Sequence, residues 1–402
     1  MYDLLSDLSV IEASSFIASP SAGLYCAQFG AEVIRVDQIG GGPDFRRWPV
    51  TANNDSLYWE NLNRAKKSVA LDLGTGEGRE LLQALVRKTG QFITNFPATG
   101  FLSHETLAKE RPDLVTVRVM GWADGSPALD YTINNAVGYP MMTGAGPEPV
   151  NHVLPAWDLL SGAYAAFALV AAIQRRSVTG KGSEVRIPLA DVAIGTVANI
   201  GGIAEVLYTG ENRPRLGNAV YGLFGRDFVT ADGVRTMIVV VTPRQWKNLL
   251  AALDIGDAVA AVETDRGVTF AKDDGIRFAH RDALFPIFEA AIARRDHSAL
   301  VRAFDEGGVV HSSYRDMLDA SRDPRLVCDN PVFSPGAPAV ENPSGFAYPA
   351  AGAFATIPQL ERMPARSAPR NGQHSEEILT DRLSLSSSEF ASLVDRGIVG
   401  IS

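Results

Sequence analysis

The chain has 402 residues, 46% of them hydrophobic and 21% charged, a globular composition with room for two or three cored domains. A net charge of −9 without any basic stretch argues against a nucleic-acid footprint, and two cysteines in unrelated contexts, Cys26 and Cys328, fit reduced thiols in a cytoplasmic protein. No basic leader follows Met1, and the longest apolar runs, at residues 163–173 and 192–203, read as too short or too interrupted to span a bilayer, so no membrane association is expected.

Residues 8–12 read as a first strand. Residues 21–30, with Ala22, Leu24, Cys26, Ala27 and Phe29, read as a helix, and 31–37 as a second, alternating strand. That is a βαβ unit and implies a parallel sheet. Residues 68–73 are strand-like, 77–89 carry Leu81, Leu82, Leu85 and Val86 at helical spacing, and 92–95 and 114–120 read as further strands. Repeated strand–helix alternation defines an α/β domain. Residues 159–173 are nearly all Ala, Leu, Val, Phe and Tyr and predict a buried helix; 196–207 predict another, followed by a polar break at 211–215. Two strands, 224–230 and 235–241, flank the turn Ala231-Asp-Gly233 as a hairpin. With helices at 246–253 and 282–294 and a strand at 309–315, they make a separate α+β module over 222–318. Residues 322–370 are rich in Pro and Gly and predict an ordered surface crossing, and 375–383 and 386–396 predict two Ser-capped helices. The expected domains are therefore 1–221, 222–318, and a return segment 319–402 that packs on the first.

Most motifs have bland readings. Gly74-Thr-Gly-Glu-Gly78 lies between a strand and a helix but misses the dinucleotide-binding spacing, so it reads as a turn before a helix. Gly40-Gly-Gly42-Pro43 reads equally as a flexible turn or as a loop that a ligand approaches closely. The six histidines show no metal spacing, and no Gly-x-Ser-x-Gly is present. Arg46-Arg47 and Lys66-Lys67 are solvated loop charge by default, with phosphate contact the sharper alternative. Asp158 carries more information. In Asn151-His-Val-Leu-Pro-Ala-Trp-Asp158-Leu-Leu-Ser-Gly162 it stands between a proline-marked extended segment and an apolar helix. Such a carboxylate is an N-cap or a covalent nucleophile, and local chemistry by itself favours the cap.

Several runs together resemble the class III CoA-transferase family: Val10-Ile-Glu-Ala-Ser-Ser-Phe-Ile-Ala-Ser-Pro20, Gly30-Ala-Glu-Val-Ile-Arg-Val-Asp37, Leu62-Asn-Arg-Ala-Lys-Lys-Ser-Val-Ala-Leu-Asp72, Asn95-Phe96, Thr179-Gly-Lys-Gly182, and the tail Ala368-Pro-Arg-Asn-Gly-Gln-His-Ser-Glu-Glu-Ile-Leu379. The resemblance implies a Rossmann-like large α/β domain with a smaller α+β domain, in an interlocked homodimer. It implies an acyl-CoA substrate, with CoA part of that substrate and no separate cofactor or metal. It makes Asp158 the residue that forms an acyl anhydride. It places Ser15, Phe16, Ile17 and Ala18 near the thioester and adenine, and Lys66, Asn95 and Phe96 along the CoA path. Arg47 is assigned to the free carboxylate of the substrate, and amides near Asp158 and its helix start to the oxyanion.

Longer strings, among them Gly41-Gly-Pro-Asp-Phe-Arg-Arg-Trp-Pro-Val50 and Val150-Asn-His-Val-Leu-Pro-Ala-Trp-Asp158, resemble the branch that moves CoA between the two carboxyl groups of one unsaturated dicarboxylic acid. Two departures sharpen this. The stretch Ala128-Leu129-Asp130 lacks the general-base histidine of the racemase branch. Gly222-Leu-Phe-Gly225 replaces the four-glycine loop of the formyl-CoA branch, and bulky Leu223 and Phe224 are expected to narrow the site. Intermolecular CoA transfer and a non-catalytic CoA-binding role remain the alternatives.

Overall fold

In the computed structural model, which describes residues 1–402, six strands of the large unit are β1 (Ser9–Ala13), β2 (Glu32–Asp37), β3 (Lys67–Leu71), β4 (Gln91–Thr94), β5 (Val115–Met120) and β6 (Ser183–Pro188). With the terminal strand Val399–Gly400 they form one sheet, in the order Val399–Gly400, β3, β2, β1, β4, β5, β6. Every neighbouring pair is parallel except the terminal strand against β3. The chain runs outward from β1 through β2 to β3, then returns to place β4 on the other side of β1. That reversal opens a crevice beyond the carboxyl ends of β1 and β4, where open α/β sheets bind ligands.

Both faces of the sheet are covered, as parallel sheets require. Ile11 and Ala13 of β1 enter a core with Leu82, Leu85 and Val86 of the helix Gly76–Thr89 and with Ile378 and Leu379 of the helix Ser375–Leu383. Val10 enters the opposite core, with Ala18, Ala22 and Cys26 of the helix Ala18–Gln28 and Ala165, Leu169 and Ala172 of the helix Ala156–Thr179. The last two helices cross closely because residue 162 is glycine: a Cβ there would lie 2.7 Å from the Ala18 carbonyl oxygen and from the Ser21 Cβ. Asp158 is one helical turn before Gly162, on the same face, so the close crossing aims it at the start of the helix Ala18–Gln28.

A buried ion network underlies the segment after β1. The Arg35 guanidinium donates to both Asp37 carboxylate oxygens, to Glu12, to Asn63 and to the Ser14 carbonyl. The Lys66 ammonium donates to Glu12, Asn63 and the Pro20 carbonyl, all within 2.9 Å. Each buried charge here has a partner, which is the condition for tolerating it. Gly23 leaves the room: a Cβ there would sit 1.9 Å from the Glu12 carboxylate.

Several expectations need revision. The helix Ala156–Thr179 starts before and ends after the expected 159–173, and it is buried on one face only; Tyr164 and Phe167 are 54% and 67% exposed on the other. It is long and apolar enough to cross a membrane by length and composition, unlike the shorter runs expected from sequence. The expected helix at 196–207 is two, Leu189–Asn199 and Gly202–Thr209, broken at Gly201 with φ +83°. Ser375 does not cap its helix. Its hydroxyl donates to Gly400 and accepts from Ala70, tying the helix to the sheet edge, whereas Ser386 does cap the helix Ser387–Asp395.

The chain divides into two compact units. The large one comprises Met1–Val137, His152–Thr209 and Arg322–Ser402, and the second comprises Gly138–Asn151 and Gly210–Ser321. The second thus begins at 210 rather than 222 and includes an early excursion that no sequence signal marks. It contains the hairpin Phe224–Val229 and Arg235–Val240, extended by His311–Ser313. Phe224 is fully buried there against Trp246, Phe285 and Phe288. It is a core residue of that unit and packs there rather than narrowing a substrate site, contrary to expectation.

Candidate active site

A cleft of about 540 Å³ lies beyond the carboxyl ends of the sheet. Ser15, Phe16 and Ala18 after β1, Asn95 and Phe96 after β4, and the turn around Gly125 after β5 line it, together with Asp158 and Arg186. Sequence positions more than a hundred residues apart meet here because β1, β4 and β5 are neighbours in the sheet.

Asp158 is not the N-cap of its helix. Pro155 holds that position and Asp158 is in the first turn. The capping is done by Asp130, first residue of the short helix Asp130–Ala136: one carboxylate oxygen accepts the Trp157 amide at 2.7 Å and the Asp158 amide at 3.0 Å. One turn along the same short helix, Asn134 accepts from the Trp157 indole at 3.1 Å. His152 bonds the other Asp130 oxygen through Nε2. The Asp158 carboxylate is thereby free of structural duty. Burial pushes its pKa up to about 7, with the Asp130 charge adding to the effect, and no hydrogen bond or ion pair opposes the shift. The ionised form is basic and poorly solvated, which favours nucleophilic attack.

The helix-start amides expected to hold an oxyanion are engaged elsewhere. The Ala156 amide donates to Leu154, those of Trp157 and Asp158 to Asp130, and that of Leu159 to Pro155.

The segment after β1 is clamped from two sides. The Ser15 amide donates to the Asn95 side chain, which donates back to the Ser15 carbonyl. Phe16 has φ +68°, a left-handed conformation that costs a non-glycine residue on the order of 1–2 kcal/mol. Its amide donates to the Asp44 carboxylate at 2.7 Å, and the other Asp44 oxygen accepts from Arg47, whose guanidinium lies 4.0 Å from the Phe16 ring centroid. Asp44 and Arg47 therefore hold Phe16 against its preference. A charge-assisted hydrogen bond contributes about 1.5–3 kcal/mol, so Asp44→Ala is expected to lower kcat/KM by about tenfold or more, read by steady-state kinetics.

Ser15, Phe16, Ala18, Asn95, Phe96 and Asp158 are thus brought to one cleft. Ile17 is at the N-cap position of the next helix and is not part of the lining. Lys66 does not line the cleft: its ammonium is fully buried and donates to Glu12, Asn63 and the Pro20 carbonyl. Arg47 is engaged by Asp44 and the Phe16 ring, so its geometry fits a clamp on the segment better than a free carboxylate receptor. Sequence reading missed Asp130, Asn134, His152 and Asp44. It also missed Arg118, a fully buried guanidinium that donates to the carbonyls of Phe96, Pro97 and Leu102 and shapes the cleft wall. The spacing of Asp130 and Asn134, one helical turn apart, was the one available signal. No group of three or more His, Cys, Asp or Glu side chains is placed to hold a metal ion.

Residues 5–375 match the model of CoA-transferase family III, and the chain belongs to that family. It is 42% identical to 2-methylfumaryl-CoA isomerase of Chloroflexus aurantiacus, over 99% of this chain and 98% of the relative. It is 27% identical to succinate–glutarate CoA-transferase of Agrobacterium fabrum, over 94% and 95%. Among solved structures, a CaiB/BaiF family protein from Brucella suis superposes with a TM-score of 0.75 at 26% identity, covering 95% of this chain and all of that one.

Proposed function

We propose that this chain isomerises 2-methylfumaryl-CoA to 3-methylfumaryl-CoA by moving CoA from one carboxyl group of the acid to the other. The single observation that carries the reading is Asp158, an unpaired, raised-pKa carboxylate in the cleft. The near full-length identity to the Chloroflexus isomerase supports the choice of substrate.

The Asp158 carboxylate attacks the thioester carbonyl, a C–O bond forms, and CoA leaves as thiolate with the C–S electron pair. The thiolate then attacks the Asp158 carbonyl of the mixed anhydride, giving an aspartyl-CoA thioester and the free dicarboxylate. The second carboxylate of the same acid attacks that thioester, and the same two steps run in reverse at the other end. Asp158 is regenerated, and no net proton is consumed. Since the amides beside Asp158 are taken, oxyanion stabilisation falls to the amides of Ala18 and Ser19 at the start of the helix Ala18–Gln28, because Pro20 has no N–H and the Ser21 amide donates to Ile17; Ala18 lines the same cleft as Asp158. Phe16 and Asn95 fix the segment leading to that helix.

Hydroxylamine added during turnover is the test. Either acylated form of Asp158 reacts with it, and peptide mass spectrometry should find the Asp158 hydroxamate. Full inactivation with Asp158 unmodified would reject the covalent route.

The same reading includes a homodimer. Leu160, Tyr164, Phe167 and Val170 leave an exposed apolar stripe on the outer face of the helix Ala156–Thr179, and Leu207 and Tyr208 are 79% and 93% exposed. A second copy of this chain is the occupant inferred for that face. Sedimentation at micromolar concentration is expected to find a dimer; an active monomer would contradict it.

A further inference from the structure

We propose that His152 is a positioning residue for the reaction: it neutralises the Asp130 carboxylate that anchors the Asp158 backbone, and so governs when Asp158 is ionised. The proposal rests on the reading of Asp158 as the nucleophile.

Three groups are linked in series. His152 Nε2 bonds one oxygen of Asp130, and the other oxygen holds the amides of Trp157 and Asp158. Asp130 is 1% exposed, so its charge is poorly screened, whereas the His152 side chain is 24% exposed. Burial is the main reason the Asp158 pKa is raised, and an unneutralised Asp130 adds to it. With His152 as imidazolium the pair is neutral and that contribution falls.

The charged groups around this pair, Asp158 apart, are themselves partnered, Asp44 with Arg47 among them. Around His152 stand the rings of Tyr131, at 5.7 Å, and Trp157, at 6.4 Å. The Tyr58 hydroxyl, buried without a hydrogen-bond partner, is in the field of Asp158, Asp44, Arg47 and Tyr131. Of the charged groups lining the cleft, Asp124 is bonded by Ser126 and Arg186 by Glu184, and Arg118 is saturated by carbonyls and Glu184.

The alternative is that His152 merely stitches the extended segment to the helix Asp130–Ala136. Both accounts predict lost activity on truncation, so the decisive readout is the pH profile. The acid limb of kcat/KM reports ionisation of the free enzyme. His152→Gln keeps a hydrogen-bond donor without the cation, and the limb is expected to move up by about one pH unit. Asp130→Asn keeps an acceptor without the anion, and the limb is expected to move down by about as much. Limbs that stay in place, or move in the same direction, overturn the proposal whatever happens to kcat. If Asp130→Asn does not fold, the His152→Gln limb alone decides. Hydroxamate trapping run alongside separates the two claims: no Asp158 hydroxamate in the unaltered protein defeats the nucleophile reading, whereas a hydroxamate with unmoved limbs defeats only the role of His152.

Discussion

Asp158→Asn is expected to abolish CoA transfer, by on the order of 10⁴-fold or more as for other covalent nucleophiles, while leaving the fold intact. The structure gives the second half of that expectation its force. Asp158 caps nothing and pairs with nothing, and Asp130 holds the helix start in its place. The sign of the stability change follows from linkage. The folded-state pKa of Asp158, about 7, lies above the ordinary aspartate value of 3.8, so ionisation in the fold is penalised. That penalty builds between those two values and is complete above pH 7. Asparagine does not incur it, so the variant should melt at the same or a higher temperature than the parent, with the difference largest above pH 7. Thermal melts at pH 5 and pH 8 beside activity assays check both halves. Retained turnover would reject the assignment of Asp158, and a variant that unfolds would show a structural role instead.

Isotopically labelled free 2-methylfumarate (mesaconate), added during turnover, is expected to stay out of the product CoA ester. Once the aspartyl-CoA thioester forms, the displaced acid is next to it, and its second carboxylate attacks with an effective molarity on the order of 10⁵ M or more. Free acid at millimolar concentration competes only after the captive acid escapes, so incorporation measures escape directly. The absence of a four-glycine loop at Gly222-Leu-Phe-Gly225 is consistent with retention, although Phe224 forms no part of the barrier because it is buried in its own core. Incorporation of label comparable to product formed, or efficient transfer to added succinate, would replace the isomerase reading with intermolecular transfer, the activity named for the Agrobacterium relative. Asp158 would keep its role in either case.

Local pattern was enough for much of the fold. The alternation in 31–37 and the helical spacing of Leu81, Leu82, Leu85 and Val86 placed β2 and the helix Gly76–Thr89 within a residue or two, since burying one face dictates the period. The hairpin around Ala231-Asp-Gly233 was legible for the same reason, with turn chemistry added. Asp158 was legible as a carboxylate at the mouth of an apolar helix, but not as a cap or as a nucleophile. That choice turned on Asp130, which lies 28 residues earlier and arrives at the helix start only through the packing of the helix Asp130–Ala136. Lys66 looked like loop charge on sequence and is buried, because Glu12 and Asn63 come to it from other elements. The inclusion of Gly138–Asn151 in the second unit was equally beyond local pattern. Periodicity reports which face of an element is buried. Which carboxylate is paired and which is left free depends on what the opposing element brings, and in this protein the tertiary structure alone decided that.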